Sequence, residues 1–240
     1  METQSNETET AVEFNRHEIP FFRDKSLQKK IEKDGFVVVP LLEPDDIAFL
    51  RKEFYEVLEM LPGGTLPQKF WTSGRVPDPI IRNKIRRALE KTHPKNLTKY
   101  FDPEIIDFVG GVFMGKSRSN QSRLYPHQDS SHLDERKAFS LYCWVPLQDV
   151  DFFNGAMQML PGSHKFGNRF RSLNVPWDFQ GYEDIMFRYM IQCPMKAGEA
   201  ALFDAATIHY SPDNYSPDLR LACNYFLQPK NMPFMHYFLD

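Results

Sequence analysis

The chain has 240 residues, 42% of them hydrophobic and 14% aromatic, enough to bury the core of one sizeable domain. The net charge of −3 gives no reason to expect nucleic acid or an anionic membrane as the main partner. Three cysteines outside any CxxC pair point away from a secreted disulfide framework, and no apolar run approaches the roughly 18 residues of a membrane span. We therefore expect a cytoplasmic protein.

The first residues are polar and acidic, without the basic and apolar regions of a secretory signal. We predict a flexible N-terminal tail over residues 1–24 and a single domain over residues 25–240.

The N-terminal part of the domain is predicted to contain two helices and a strand. Residues 26–34 form a short helix that Gly35 stops, and the β-branched run at 36–40 predicts a buried strand. Apolar residues at helical spacing predict an amphipathic helix over about 44–60, with Pro44 at its start.

Four prolines and three glycines between residues 61 and 80 predict a long loop, which in a compact domain is often a functional lid. The basic stretch that follows, 82–99, fits either the solvated face of a helix or a dock for an acidic substrate.

From about residue 105 to 230 the sequence alternates short β-like runs with turn residues, without the rhythm of βαβ units. Such a pattern predicts an antiparallel sandwich or barrel. The predicted fold class is thus mainly β with flanking helices.

His127 and Asp129 are candidate metal ligands, because residues i and i+2 of a strand point to one face. His209 ends an apolar strand 80 residues after Asp129 and supplies a third candidate. Two histidines and one carboxylate leave three positions of an octahedron open, as in non-haem iron(II) oxygenases.

Arg220, eleven residues after His209, opens another predicted strand. Its planar guanidinium can bind a carboxylate through two parallel hydrogen bonds, which suits the far carboxylate of 2-oxoglutarate. Ser211 shares the face of His209 and can donate a hydroxyl hydrogen bond to the same group.

With these residues the sequence resembles the phytanoyl-CoA dioxygenase-like oxygenases, a family that includes ectoine hydroxylases. The resemblance is strongest from Leu124 to Gln228. Besides the residues above, it rests on Trp144, Asn154-Gly155, Leu160-Pro161-Gly162-Ser163-His164, Gly198-Glu199 and Tyr210.

The resemblance implies a double-stranded β-helix, or jelly roll, with Fe(II) near one open end and Trp144 beside the cosubstrate. It implies an oxygenase that uses 2-oxoglutarate and O₂ to hydroxylate an unactivated C–H bond of a small molecule, releasing succinate and CO₂. Asp129 favours hydroxylation or another oxidation over halogenation, since related halogenases lack this carboxylate. The family's members act on different molecules, so no substrate is implied.

Several other residues are less readily interpreted. Lys116 could help to hold a carboxylate, although an exposed lysine is the commoner outcome, and Asn224 could line the barrel or belong to a structural network. Candidate walls of the substrate pocket are residues 61–79, residues 130–136, and Phe170, Trp177, Phe179 and Tyr182. Arg136, Arg169 and Arg171 could bind an acidic group of the substrate, although we expect solvated surface arginines as the commoner outcome.

Two other functions fit a barrel of this kind. One is a cupin-type isomerase or lyase, which would share the histidines but has no use for Arg220 and Ser211. The other is a binding module without catalysis, against which the complete set of three ligands argues.

Overall fold

The computed structural model describes residues 20–135, 137–166, 171–172, 177 and 179–235, with the backbone alone at 93 and 94. Two helices lie near its N-terminus, α1 (Lys25–Asp34) and α2 (Pro44–Met60), with strand β1 (Phe36–Pro40) between them. The side chain of Asp24 accepts a hydrogen bond from the backbone N–H of Ser26 and so caps α1. Gly35 ends this helix in the left-handed conformation.

Strand β2 (Phe70–Thr72) interrupts the segment that we predicted as a loop, and helix α3 (Pro79–Leu97) follows it. Several basic side chains of α3 pair with acidic groups of α2 or of α3 itself. Lys84 contacts Glu53 and Glu56, and Lys95 contacts Asp46. These pairs favour the solvated-face interpretation of this basic stretch over a substrate dock.

The β core comprises β3 (Ile106–Lys116), β4 (Leu124–His127), β5 (Leu141–Pro146), β6 (Gln158–Met159), β7 (Ile191–Gln192), β8 (Glu199–Asp204), β9 (His209–Ser211) and β10 (Arg220–Pro229), with the short helix α4 (Glu183–Phe187) before β7. Every pairing between named strands is antiparallel. One sheet has the order β1-β8-β5-β10-β3-β2 and the other β4-β9-β6-β7. The predicted jelly-roll core with flanking helices is confirmed.

Strand β10 shows how alternation separates two cores. Leu221, Cys223, Tyr225 and Leu227 pack against the helices, whereas Ala222 and Phe226 face the interior between the sheets. Arg220 and Asn224 have the parity of the interior set. The strand therefore places two polar residues inside the barrel.

The N-terminal boundary of the domain differs from the prediction. Residues 1–19 of the predicted tail lie outside the described residues. Phe21 and Phe22 are buried, and Phe22 forms an isolated β-bridge with Phe101. The packed domain thus begins before residue 25, because these two rings fill the space beside Phe101 and Phe139.

Within the described residues, no helix has both the length and the apolar character needed to cross a membrane. The three cysteines, Cys143, Cys193 and Cys223, are buried as free thiols.

Gly198 provides a test of the packing between α2 and the sheet. Its φ is +83°, and an added Cβ would lie 2.7 Å from both Ile47 Cδ1 and the Leu42 carbonyl oxygen. Gly181 has a similar φ of +91° but open space around it. We expect Gly181→Ala to lower the free energy of unfolding by about 1–2 kcal/mol, the cost of the left-handed backbone. Gly198→Ala should cost about 2 kcal/mol more, because the backbone oxygen cannot yield easily.

Urea denaturation of the two variants and the wild type measures this difference. Equal losses in the two variants would contradict the proposed close packing at Gly198.

Candidate metal and cosubstrate site

His127, Asp129 and His209 converge at one end of the barrel, where β4 pairs with β9. One potential ligand atom from each residue lies within 4.8 Å of the others. The Nε2 atoms of His127 and His209 lie 4.0 and 3.7 Å from the Asp129 carboxylate oxygens. These separations suit three groups that share one central ion.

Backbone hydrogen bonds orient both imidazoles. The Nδ1 atom of His127 lies 2.7 Å from the Tyr125 carbonyl oxygen, and that of His209 lies 3.0 Å from the Thr207 carbonyl oxygen. If each Nδ1–H donates to its carbonyl, each Nε2 is free to bind a metal. Desolvation lowers the pKa of each histidine to about 4, so both rings are neutral at pH 7, as metal ligation requires.

The loop after His127 is held by the turn that precedes His209. Gln128 donates from its side chain to the Ala206 carbonyl oxygen, and the Asp129 N–H donates to the Ala205 carbonyl oxygen. The position of Asp129 therefore depends on the same turn that positions His209.

Arg171 also fixes this loop, contrary to the expectation of a solvated side chain. It is buried, its Nε donates to the Asp129 carbonyl oxygen at 2.8 Å, and its Nη2 lies 2.6 Å from Glu135. Pairing with the equally buried Glu135 compensates for the loss of water around the guanidinium. Arg136, Arg169 and Phe170 lie outside the described residues.

Arg220 is buried in the barrel interior, with 1% of its surface exposed. Its Nε and Nη1 atoms have no hydrogen-bond partner among the described residues, and burial lowers its pKa to about 10. The guanidinium carbon lies 5.1 Å from the centre of the Trp144 ring. A buried cation in this state suits a ligand that brings a carboxylate.

Lys116 is directly opposite Arg220 in the pairing of β3 with β10 and is fully buried, so the expectation of an exposed lysine is wrong. Its Nζ donates to the carbonyl oxygens of Ser211 and Pro212 at 2.8 and 2.6 Å. Burial, with the nearby Arg220 charge as a second cause, lowers the pKa of Lys116 to about 6. The parity of Lys116 with Val112 and Met114, which line the cavity, is a sequence signal for this burial.

Ser211 and Trp144 are both buried in the barrel, and His132 and His164 make other contacts. Ser211 is buried on β9, opposite Leu124 of β4, and Trp144 is buried on β5. His132 stacks on Phe234, and His164 lies beside the Glu32 carbonyl oxygen. Neither histidine belongs to the cluster of three possible ligands among the described residues.

A cavity of about 510 Å³ opens beside His127 and Asp129. It is lined by parts of three predicted walls, including Phe70 and Arg75 from the loop segment, Ser130, and Trp177. Phe179 and Tyr182 instead line a separate apolar cavity with Phe166 and Met186.

The pKa of Lys116 makes a prediction about stability and pH. Its folded pKa of about 6 lies below the ordinary value of 10.5, so between these limits the unfolded chain binds more protons. The contribution of Lys116 to stability therefore rises with pH across this range, by up to about 1.4 kcal/mol per pH unit. Lys116→Met should remove that slope.

Urea denaturation of both proteins at pH 7, 8 and 9 tests the slope rather than the offset, since the substitution also removes two hydrogen bonds. The free energy of unfolding of the wild type, minus that of the variant, should increase from pH 7 to 8 and again from pH 8 to 9. A constant difference would mean that Lys116 is not buried as described.

Comparison with known proteins finds similarity to one family of oxygenases. Residues 111–222 match the family model described as phytanoyl-CoA dioxygenase (PhyH). A phytanoyl-CoA dioxygenase domain-containing protein 1 homolog from Dictyostelium discoideum is 26% identical over 166 residues, which cover 61% of this chain and 59% of the relative. The ectoine dioxygenase of Stutzerimonas stutzeri is 24% identical over 223 residues, covering 81% of this chain and 73% of that protein. The resemblance stated from the sequence is confirmed.

Among solved structures, the epimerase SnoN in complex with Fe³⁺, alpha-ketoglutarate and nogalamycin RO has a TM-score of 0.66 at 19% identity. The match covers 87% of this chain and 84% of SnoN. At this identity the likeness establishes a common fold.

Proposed function

We propose that the chain is an Fe(II) and 2-oxoglutarate dependent oxygenase, because residues 111–222 match the family model described as phytanoyl-CoA dioxygenase. It would hydroxylate an unactivated C–H bond of a small molecule, with release of succinate and CO₂. The observation that carries this proposal is the buried guanidinium of Arg220, which has no hydrogen-bonded anion among the described residues and lies in the barrel that holds the three candidate ligands.

The residues present fit iron. His127, Asp129 and His209 offer two neutral imidazoles and one carboxylate on one side of a central point, which leaves three open positions. Iron, when bound with 2-oxoglutarate and O₂, supplies the oxidising power for the reaction. The hydrogen bonds on each Nδ1 and the Arg171 contact to Asp129 would keep the three ligands in place.

The residues around Arg220 fit the cosubstrate. The guanidinium would bind the far carboxylate of 2-oxoglutarate, with the Ser211 hydroxyl as a second donor and the Trp144 ring beside them. Lys116 is a second basic group opposite Arg220, and it tethers the chain at Ser211 and Pro212. A bound dianion would raise the lowered pKa of Lys116 and so favour its charged form beside Arg220.

The apolar interior around the site would keep water out. Tyr142, Trp144 and Phe203 belong to the core between the sheets, and the Phe203 ring lies 4.8 Å from that of His209. Exclusion of water strengthens the contacts of the cosubstrate and limits side reactions.

A cupin-type isomerase or lyase remains the main alternative function. Such an enzyme could use the three ligands, but it would leave Arg220 buried without a carboxylate. We further propose that residues 25–240, together with the packed Phe21 and Phe22, act as a single oxygenase domain. We also propose that the protein is cytoplasmic, which its three buried free thiols support.

Arg220→Met tests the function directly. Under anaerobic conditions the Fe(II) protein should give a visible charge-transfer band when 2-oxoglutarate chelates the metal. The variant should need at least about 100-fold more 2-oxoglutarate for the same band, because the far carboxylate of 2-oxoglutarate loses its buried charged partner. Iron affinity should change little.

Arg118→Met, at an exposed arginine two residues beyond β3, is the matched control and should titrate like the wild type. Absence of the band in the wild type would remove the proposed function. A normal band in Arg220→Met would remove the assigned role of Arg220.

A further inference from the structure

Asn224 lies in the wall of the cavity beside the metal site and belongs neither to the candidate ligands nor to the proposed cosubstrate contacts. Its side chain is 5% exposed, and its Oδ1 atom has no hydrogen-bond partner among the described residues. Leaving a buried amide oxygen unpaired costs about 1–3 kcal/mol, so such an atom is expected to meet a donor from a ligand. The structural network considered as one role for Asn224 is not formed by its Oδ1.

Asn224 lies away from Arg220, the residue proposed to bind the far carboxylate of the cosubstrate. It is four residues from Arg220 on the same face of β10, about 13 Å along the strand. Asn224 lines the cavity together with Val112, His127 and Asp129, whereas neither Arg220 nor Lys116 is among its lining residues. Asn224 therefore faces the part of the cavity that a substrate would occupy.

Arg75 offers a cation at the rim of the same cavity. It is exposed and has no hydrogen bond or ion pair with any residue in the described part of the chain. The other arginine in the cavity wall, Arg171, is committed to Glu135 and to the Asp129 backbone. Arg75 is thus available for an anionic group.

The two groups lie on one row across the cavity wall, with Asn224 on β10, Val112 on β3, and Arg75 in the 3-10 turn of residues 73–75 that follows β2. Asn224 on β10 is opposite Val112 on β3, and an added Cβ on Gly74, next to Arg75, would lie 3.4 Å from Val112 Cγ1. The wall between and around them is apolar, formed by Phe70, Val112, Met114, Leu124 and Phe226. A molecule that spans this row meets an amide oxygen inside, an apolar middle and a cation outside.

We infer that the substrate is a small amphipathic carboxylate that donates a hydrogen bond from a hydroxyl or N–H group to Asn224 and places its carboxylate on Arg75. This inference rests on the proposed function, and it names the class of substrate that the cavity accepts. The donor held by Asn224 fixes which carbon faces the metal. The apolar walls bind the chain between the two polar ends.

The test uses the 3-, 4-, 5- and 6-hydroxyoctanoates as probes, with octanoate as the matched molecule without the hydroxyl. Binding to the anaerobic Fe(II) and 2-oxoglutarate loaded protein is followed by saturation-transfer NMR and by the change in the charge-transfer band. At least one hydroxyoctanoate should bind the wild type about tenfold or more tightly than octanoate.

Variants separate the two contacts. Asn224→Leu keeps a similar volume and should bring this ratio to near one, whereas Asn224→Asp keeps an acceptor oxygen and should retain a preference. Arg75→Met should weaken hydroxyoctanoate and octanoate binding about equally, by roughly tenfold, because both share the carboxylate. The 2-oxoglutarate titration should be unchanged in Asn224→Leu and Arg75→Met, which also reports that they fold.

Octyl phosphate tests whether the site binds a phosphate group in preference to a carboxylate. Binding of octyl phosphate tighter than that of every carboxylate would overturn the carboxylate assignment. Retention of the hydroxyl preference in Asn224→Leu, or no binding of any probe to protein that binds 2-oxoglutarate normally, would overturn the inference and leave the proposed function intact. Loss of 2-oxoglutarate binding by the wild type would instead remove the proposed function.

Discussion

The burial of the Arg220 charge is the constraint on which the site depends. A guanidinium taken out of water without an anion is costly, and here Lys116, directly opposite, is a second buried basic group. The Trp144 ring and a lowered pKa of Lys116 reduce this cost without removing it. The burial of both basic groups would become favourable once a dianion such as 2-oxoglutarate lay between them and the metal.

The fold supplies this arrangement through alternation along a few strands. Residues of one parity on β10 bind the helices to the sheet, and residues of the other parity present Arg220 and Asn224 to the interior. The helix side therefore makes the strand rigid while the interior side carries chemistry. The turn at 205–207 follows β8 and connects the same sheet to the loop that carries Asp129.

Local pattern predicted much of this structure. Strand β1 and helix α2 have the predicted bounds, since β-branched residues and helical spacing act within a few residues of chain. The three candidate ligands and Arg220 could also be chosen from the sequence as site residues, because strand parity and side-chain chemistry restrict which residues can share a cavity.

Features that depend on distant contacts were not predicted. Lys116 is buried because β10 and β9 lie beside it, and Arg171 is buried because Glu135 meets it from another part of the chain. Strand β2 forms only because β3 offers it a partner edge. The packing of Phe21 and Phe22 likewise requires Phe101, about 80 residues away.

The most direct test of the central claim is an anaerobic crystal structure with Fe(II) and 2-oxoglutarate. Anomalous diffraction at the iron edge should show one ion bound by His127, Asp129 and His209, with the far carboxylate of 2-oxoglutarate forked onto Arg220. An ion bound elsewhere, or a cosubstrate carboxylate that does not contact Arg220, would contradict this account.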